Sequence, residues 1–227
     1  MNSGWDGIEL GEPTPLPSPR IHAPIEWPAG SVLALPEADA GCTVPFGDVV
    51  RTRRTRREFA PLDLPSLSAL LSLTLRVQQS GDTSLGFPIT RRPVPSAGAI
   101  HPVHLLLIEP AATGWRRYDP FGHALVDLPT SVAPATVRSA MERIVPAPQA
   151  TLMVFAAEFA STGAKYADPA SLVWRDAGVL QGCLALAAQA LGLSFCLLGA
   201  TGDPWVRQLL DQRGLAGVGT AFVGAAP

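Results

Sequence analysis

The sequence has few of the features that would place a chain in a membrane, a disulfide framework or a metal site. A membrane-spanning helix needs about 20 apolar residues, and no apolar stretch of the sequence approaches this length. The first residues lack the basic start and apolar core of a signal peptide. The three cysteines are odd in number and widely spaced, which indicates neither a disulfide framework nor a zinc site. These absences predict a cytoplasmic protein without a metal centre.

Basic charge is also scarce overall, but it is concentrated in one place. The chain has a formal net charge of -2 at pH 7, yet five of its 17 basic residues lie within seven positions, at Arg51, Arg53, Arg54, Arg56 and Arg57. A chain without a basic excess is a poor match for a nucleic-acid backbone. Clustered guanidinium groups with neighbouring threonine hydroxyls suit one localised anion such as a phosphate. A solvated run of charge near a helix is the alternative.

Composition and proline content suggest one domain preceded by an arm. With 227 residues, 47% of them hydrophobic, and a mean hydropathy of +0.23, the chain can form one large core. Residues 11–36 carry many of the 23 prolines, which disfavours a regular hydrogen-bonded ladder. We therefore predict an extended proline-rich arm over residues 1–47 and a single domain over residues 48–227. Trp27, Val32 and Leu33 indicate that the later part of the arm packs, whereas a disordered leader is an equal alternative for the first ten residues.

Hydrophobic patterning predicts helices and strands in irregular order, which favours an α+β fold. Leucines at helical spacing from Leu67 to Leu75 indicate a helix that begins near Pro65. Residues 79–94 are typical of a polar loop, and a short helix is expected to open at residues 203–204. Strands are expected at 103–109, 151–157, 194–198 and 218–223, with a hairpin over 115–128.

The strongest periodic signal belongs to a long helix that ends before Gly192. One apolar stripe of this helix is formed by Val173, Ala177, Leu180, Leu184, Ala187, Ala188 and Leu191. Its many alanines and few charges predict burial on most sides, as expected for a central helix in a dimer core.

Two further stretches contain residues suited to chemistry. Pro95-Ser-Ala-Gly-Ala-Ile-His-Pro102 places small residues where a backbone can approach a flat ligand and offer amide donors, although a tight loop before a strand explains the pattern equally well. Lys165 and Tyr166 can act as paired proton-transfer groups if one of them is desolvated. Most such pairs in proteins are surface residues, so the pair alone does not assign a function.

Taken together, these stretches resemble a known family. Arg53-Arg-Thr-Arg-Arg-Glu-Phe59 resembles the Arg-Arg-Ser-x-Arg-x-Phe opening of the FMN-dependent nitroreductase fold. The 95–102 loop is similar to the Pro-Ser-Ala-Gly-Ala-x-Tyr-Pro loop of one branch, the SagB-type or McbC-like dehydrogenases of thiazole/oxazole-modified peptide biosynthesis. Further motifs match this branch in order over residues 48–224, namely Trp115-Arg-Arg-Tyr-Asp-Pro120, Lys165-Tyr166, Asp176-Ala-Gly-Val-Leu-Gln181 and Ala190-Leu-Gly-Leu193.

The resemblance implies a domain-entwined homodimer that binds FMN and has a mostly antiparallel sheet flanked by helices. The cofactor-binding residues that it implies are Arg53, Arg54, Thr55, Arg57, Ser96, Ala97, Gly98, Gln181, Leu198 and Gly199. Lys165 and Tyr166 correspond to the pair held to assist azoline oxidation, with a cyclodehydratase and a precursor peptide, or a small heterocycle, as partners. Two departures from the pattern are Thr55 in place of serine, which keeps a hydroxyl, and His101 in place of tyrosine.

Two other functions stay open at this stage. One is an NAD(P)H-dependent nitroreductase or flavin reductase, which would not need Lys165 and Tyr166. The other is a cofactor-poor member of the fold that acts as a scaffold in a biosynthetic complex.

Overall fold

The computed structural model describes residues 10–37, 42–210 and 214–227. The α-helices in these ranges are α1 (Phe46–Thr52), α2 (Leu64–Ser72), α3 (Pro134–Glu142), α4 (Phe159–Gly163), α5 (Ala170–Ala190) and α6 (Trp205–Gln208). The strands are β1 (Thr14–Pro15), β2 (Val32–Ala34), β3 (Gln79–Gly81), β4 (Ile89–Arg91), β5 (Val103–Ile108), β6 (Trp115–Asp119), β7 (Ala124–Leu128), β8 (Thr151–Glu158), β9 (Tyr166–Ala167), β10 (Leu193–Leu198) and β11 (Leu215–Ala225).

A seven-stranded sheet forms the centre of the domain, in the order β10-β11-β8-β5-β6-β7-β2. All of its pairings are antiparallel. Every residue of β8 is buried, so its side chains supply two separate cores on opposite faces. Met153 and Phe155 enter one core, whereas Leu152 and Val154 enter the other. The predicted α+β class and the predicted strands and hairpin are confirmed.

Helices cover both faces of this sheet. Leucines of α2 and the buried stripe of α5 pack in the first core, whereas α3 and α6 contribute Val137, Met141 and Val206 to the second. The start of α2 follows from Pro65 in its first turn and from the Asp63 side chain, which accepts a hydrogen bond of 2.8 Å from the Ser66 N–H.

The long helix predicted from periodicity is α5, and its predicted stripe faces the sheet. Val173, Ala177, Leu180, Leu184 and Ala188 are buried. The expectation of burial on most sides is not met within one chain, because the sheet covers only one face of the helix. Trp174 and Val179 on the opposite face are each 40% exposed.

The prediction of a loop over residues 79–94 is wrong in part, because β3 and β4 pair there as a small antiparallel hairpin. Each strand has only three residues, and Gln79-Ser-Gly81 is polar and fully exposed. Strands this short lack the alternation of apolar and polar residues from which a strand is inferred.

Strand pairing is one of the ways in which the proline-rich arm is attached to the domain. β1 pairs with β9, and β2 adds to β7 at the edge of the central sheet. Trp27 packs against the second core and stacks edge-on to His104, so the later part of the arm does pack. The domain boundary at residue 47 stays a prediction, and most of the proposed leader lies outside the described residues. No helix in the described ranges has the length and apolar character needed to cross a membrane.

Candidate functional site

The arginine run continues directly from α1 and lies along the edge strand β10. The Arg53 N–H closes the helix by donating to the Val49 carbonyl at 2.9 Å, and the Arg56 N–H donates to the Phe195 carbonyl at 3.2 Å. This anchoring places Arg53, Arg54 and Thr55 around one small cavity of about 30 Å³. Its other walls come from the end of α5 and from β10, through Ala185, Gln189, Leu193, Phe195 and Leu197.

The donors at this cavity suit an anion. Arg53, Arg54 and Thr55 are exposed, and no carboxylate is among the residues that line the cavity. In the same run, the buried Nε of Arg56 has no hydrogen-bond partner among the described residues. Arg57, predicted to support the same group, does not line the cavity. Its guanidinium lies beside Cys196, where it opposes the rise in the pKa of the thiol that burial causes.

The Ser96-Ala-Gly loop is fixed to α5 by one carboxylate, that of Asp176. The Ser96 hydroxyl donates to Asp176 Oδ2 at 2.5 Å, and the Ala97 N–H donates to the same carboxylate at 3.1 and 3.2 Å. The Ser96 hydroxyl in turn accepts a hydrogen bond of 2.9 Å from the His101 N–H. The sequence motif includes Asp176, but the motif alone gives no role for this residue. In the structure it holds the loop in position.

The loop turns tightly, and at Gly98 it touches the Lys165–Tyr166 pair. Gly98 has a φ of 64°, in the left-handed region that favours glycine. A Cβ atom at this position would lie 3.1 Å from both Lys165 Nζ and Tyr166 Oη. The two side chains are half-buried, with Lys165 Nζ 5.8 Å from the centre of the Tyr166 ring. The predicted loop residues and the predicted proton-transfer pair therefore lie next to each other, although they are more than 60 residues apart in sequence.

The arm supports this pair from the other side. Tyr166 belongs to β9 and lies opposite Pro15 of β1. The Leu16 N–H donates to the Lys165 carbonyl at 2.9 Å, and the Arg20 N–H donates to the Ala164 carbonyl at 2.8 Å. The backbone that carries the pair is thus held by the proline-rich arm, a role that the sequence did not suggest.

The remaining predicted residues are Gln181 on α5 and Leu198 and Gly199 at the end of β10. Gln181 points at an irregularity in β11, where its Nε2 donates to the Val218 carbonyl at 3.1 Å, and a Cβ on Gly219 would lie only 2.6 Å from that nitrogen. Leu198 is buried at the end of β10, and Gly199 follows it at the surface.

One chain does not bring the two groups of predicted residues together. The arginine cavity reaches Gln189 near the end of α5, whereas the Ser96 loop is bound to Asp176 near its start. These positions are 13 residues apart, which is about 20 Å along the helix axis at about 1.5 Å per residue.

A larger cavity of about 420 Å³ lies next to the Ser96 loop, and sequence reasoning missed most of its lining. The β3–β4 hairpin supplies one wall, and Arg92, Ser96 and His101 lie on the others. Burial lowers the pKa of Arg92 to about 10. Burial and the nearby Arg92 cation lower the pKa of His101 to about 4, against the opposing effect of its hydrogen bond to the Thr90 carbonyl. The pair Arg91-Arg92 within a supposed loop was the available sequence signal.

Two of the scattered histidines, His22 and His104, lie beside one carboxylate, that of Glu158. Glu158 at the end of β8 lies 2.6 Å from His22 Nε2 and 3.5 Å from His104 Nε2, and it also accepts from the Ile25 N–H at 3.1 Å. Burial alone would raise the pKa of Glu158, but the hydrogen bonds to the two histidines outweigh it and leave the pKa lowered. No group of three or more potential ligands in the described ranges is arranged to hold a metal ion. The cluster instead fixes the arm.

Comparison with known proteins agrees with this architecture. The model of the nitroreductase family matches residues 50–220. A protein from Ralstonia eutropha JMP134, provisionally named a nitroreductase, is 21% identical with a TM-score of 0.62, over 93% of this chain and 99% of that one. A chain of the Escherichia coli microcin synthetase McbBCD complex, solved with truncated pro-MccB17 bound, is 19% identical with a TM-score of 0.59, over 78% of this chain and 72% of that one.

At these identities the structural likeness shows the fold alone, and no curated protein sequence matches the chain significantly. The family model covers three quarters of the sequence, including the arginine run, the Ser96 loop, the Lys165–Tyr166 pair and α5. The chain therefore belongs to the nitroreductase family of oxidoreductases.

Proposed function

We propose that this oxidoreductase is an FMN-dependent dehydrogenase of the SagB-like type, which oxidises azoline-type heterocycles of a peptide or a related natural product. The observation that carries this proposal is the contact of Gly98 with Lys165 Nζ and Tyr166 Oη. A backbone without a side chain lies directly against two groups that can take up and release protons. Conversion of an azoline to an azole needs removal of a carbon-bound proton and a hydride, so a proton acceptor beside the redox site is required.

The residues present fit FMN as the cofactor. Arg53 and Arg54 can each bind phosphate oxygens through a guanidinium fork, and Thr55 adds a hydroxyl, at a cavity without carboxylates. The Ser96-Ala-Gly loop has only small side chains, so a flat ring could approach it closely. FMN supplies hydride acceptance when it is bound. Lys165 and Tyr166 would then hold the proton that leaves the substrate carbon, at Nζ or at Oη, while the Ser96 loop and α5 keep the pair in position.

A homodimer is part of the proposal. Trp174, Gly178, Val179 and Gly182 lie exposed on the face of α5 that the sheet does not cover, and an apolar surface of this kind favours association. Within one chain, the continuous helix α5 separates the arginine cavity from the Ser96 loop. A second copy of the chain could bring the arginine run of one copy close to the Ser96 loop of the other. A cyclodehydratase and a precursor peptide are further partners that we propose, in a cytoplasmic setting consistent with three free cysteines.

The test begins with the purified full-length protein supplied with FMN. We expect flavin absorbance after gel filtration and oxidation of a synthetic thiazoline to the thiazole. Lys165→Ala and Tyr166→Phe should each lower the oxidation rate by about 10²–10⁴-fold while keeping the flavin, because general acid/base catalysis contributes that much. Lys165→Arg is the matched variant that keeps the charge but not the ability to give up a proton near neutral pH.

The outcomes separate the alternatives. If the Lys165 and Tyr166 double variant keeps full activity on a nitroarene with NAD(P)H, and the wild type does not oxidise the thiazoline, the protein is a nitroreductase or flavin reductase. If the wild type binds no flavin, it serves as a scaffold. Loss of flavin from the Lys165 or Tyr166 variants would make the pair structural.

A further inference from the structure

The cavity of about 420 Å³ beside the β3–β4 hairpin has the size of a site for a small molecule. It is lined by Arg91 and Arg92 and by no carboxylate. This is a second concentration of positive charge, separate from the cavity that we assign to the FMN phosphate, with which it shares no lining residue.

Arg92 is the unusual residue of this cavity. Its Nε donates to the Thr90 hydroxyl at 3.0 Å, but it forms no salt bridge with any residue in the described ranges. Asp119 acts on it only through longer-range attraction. Arg76 and Arg116, by contrast, each contact a carboxylate at 2.6 and 2.7 Å. A half-buried guanidinium with no carboxylate among the residues that line its cavity is costly, and an anionic ligand would remove that cost.

His101 adds a neutral polar group to this cavity. Its Nε2 lies 3.0 Å from the Thr90 carbonyl, which fixes the proton on that nitrogen and leaves Nδ1 as an acceptor. Burial and the Arg92 cation keep the ring neutral at neutral pH, since its pKa is lowered to about 4. The cavity therefore presents two cations, Arg91 and Arg92, together with one neutral ring nitrogen that can accept a hydrogen bond.

The cavity also adjoins the proposed redox site. Ser96 and Ala99 line it, and Gly98 between them touches Lys165 and Tyr166. A ligand anchored at Arg92 would therefore lie beside the loop that carries Gly98.

We propose that this cavity is the substrate's anion subsite, in which Arg92 binds a carboxylate attached to the heterocycle and His101 Nδ1 accepts a hydrogen bond from a donor on the same molecule. The enzyme would then prefer a small heterocyclic acid to the same ring embedded in a peptide amide. The identification of the ligand as substrate rests on the proposed function, whereas anion binding at Arg92 does not.

The test compares thiazole-4-carboxylate with thiazole-4-carboxamide, which differ in charge but hardly in shape. Binding of each to the full-length protein is measured by calorimetry for the wild type, Arg92→Gln and Arg92→Lys. Arg143→Gln is the matched control, because Arg143 is an exposed arginine at the end of α3 and lines neither cavity. Thermal unfolding of each variant checks that it is folded.

We expect the wild type to bind the acid at least about tenfold more tightly than the amide, as a charge-assisted hydrogen bond predicts. Arg92→Gln should abolish this preference by lowering the affinity for the acid and not for the amide. Arg92→Lys should keep part of the preference, and Arg143→Gln should bind both compounds as the wild type does. Equal binding of acid and amide to the wild type, or an Arg92→Gln variant that retains the preference, would overturn the proposal.

A parallel experiment tests whether the anion that Arg92 binds is a substrate carboxylate or the FMN phosphate. If Arg92→Gln lowers the affinity for FMN but not for riboflavin, the site belongs to the cofactor phosphate, and the substrate subsite is refuted. If the wild type oxidises no thiazoline, yet the acid preference is present and depends on Arg92, the anion site stands and only the proposed oxidation fails.

Discussion

The backbone N–H of Leu16 donates a hydrogen bond to the carbonyl oxygen of Lys165 at 2.9 Å. This bond joins the proline-rich arm to the residue that we propose for proton transfer. Together with the pairing of Pro15 with Tyr166, it holds the backbone of β9 against β1. The arm is therefore part of the structure that positions the site.

Leu16→Pro should slow substrate oxidation while leaving the flavin in place. Proline removes the N–H donor, and loss of one backbone hydrogen bond, worth about 0.5–1.5 kcal/mol, corresponds to a fall in kcat of about 2- to 12-fold if the bond acts fully in the transition state. Ser18→Pro is the matched control, since the Ser18 N–H makes no backbone hydrogen bond within the described residues. Steady-state kinetics and flavin absorbance provide the two measurements, and equal kcat values for both proline variants would contradict the role of the arm.

Arg53→Ala should weaken the binding of FMN but not the binding of riboflavin. The lost guanidinium removes a charge-assisted phosphate contact, which lowers FMN affinity by at least about tenfold, whereas riboflavin has no phosphate to lose. Arg51→Ala is the matched control from the same run, because the Arg51 guanidinium pairs with Asp48 and does not line the cavity. Flavin fluorescence titration measures both affinities. A parallel loss of riboflavin binding would show that Arg53 acts on the fold and not on the phosphate.

The stability of the protein should fall as the pH drops from about 6.5 towards 4, in part through His101. The pKa of His101 is about 4 in the folded chain against 6.5 when unperturbed. Between these values the unfolded chain binds more protons, so acidification favours unfolding. The full effect on the free energy of unfolding is about 3.5 kcal/mol at most, at about 1.4 kcal/mol per pKa unit, and it is complete below about pH 4.

His101→Asn should reduce this dependence, because asparagine does not titrate and tolerates the left-handed backbone found at this position, where φ is 53°. Urea unfolding of both proteins between pH 7 and pH 4 measures the difference. Parallel stability curves for wild type and variant would show that the folded chain does not hold His101 neutral.

Val179→Glu should turn a dimer into a monomer. Val179 is 40% exposed on the free face of α5, and a carboxylate there would be buried without a partner in the proposed interface. Ile144→Glu provides the control, because Ile144 is 51% exposed but lies just beyond the end of α3 on the other side of the sheet. Sedimentation velocity at micromolar concentration distinguishes the states. A wild type that is a stable, soluble monomer would refute the dimer.

Long periodic segments were the part of the fold that the sequence could predict. The buried stripe of α5 repeats over about four turns, and β5, β8 and β10 are mostly apolar runs of strand length, so local pattern and tertiary position agree. The β3–β4 hairpin could not be predicted in the same way, since each strand has only three residues and, of these six residues, only Thr90 is buried.

The candidate site was predictable as a set of motifs but not as an arrangement. The order of the motifs gave the Ser96 loop and the Lys165–Tyr166 pair, whereas their contact at Gly98 depends on how β5, β8 and α5 pack. The hydrogen bond from Ser96 to Asp176 joins residues that are 80 apart in sequence. The Arg92 cavity is assembled from the hairpin and the loop that follows it, and neither segment alone has a pattern typical of a binding site.

The β3–β4 hairpin is a part of the fold in which the sequence can vary between related proteins. Its strands pair with each other and, in the described ranges, with no strand of the central sheet. Substitutions at the exposed positions of the two strands can therefore accumulate without disturbing the central sheet, while Gly98 and Asp176 leave little room for change. The tip between the strands is more constrained, because Leu85 is buried and its carbonyl accepts a hydrogen bond of 2.8 Å from the His22 N–H. Related chains with the same Ser96 loop should therefore differ most in charge at the exposed positions of residues 79–81 and 89–91.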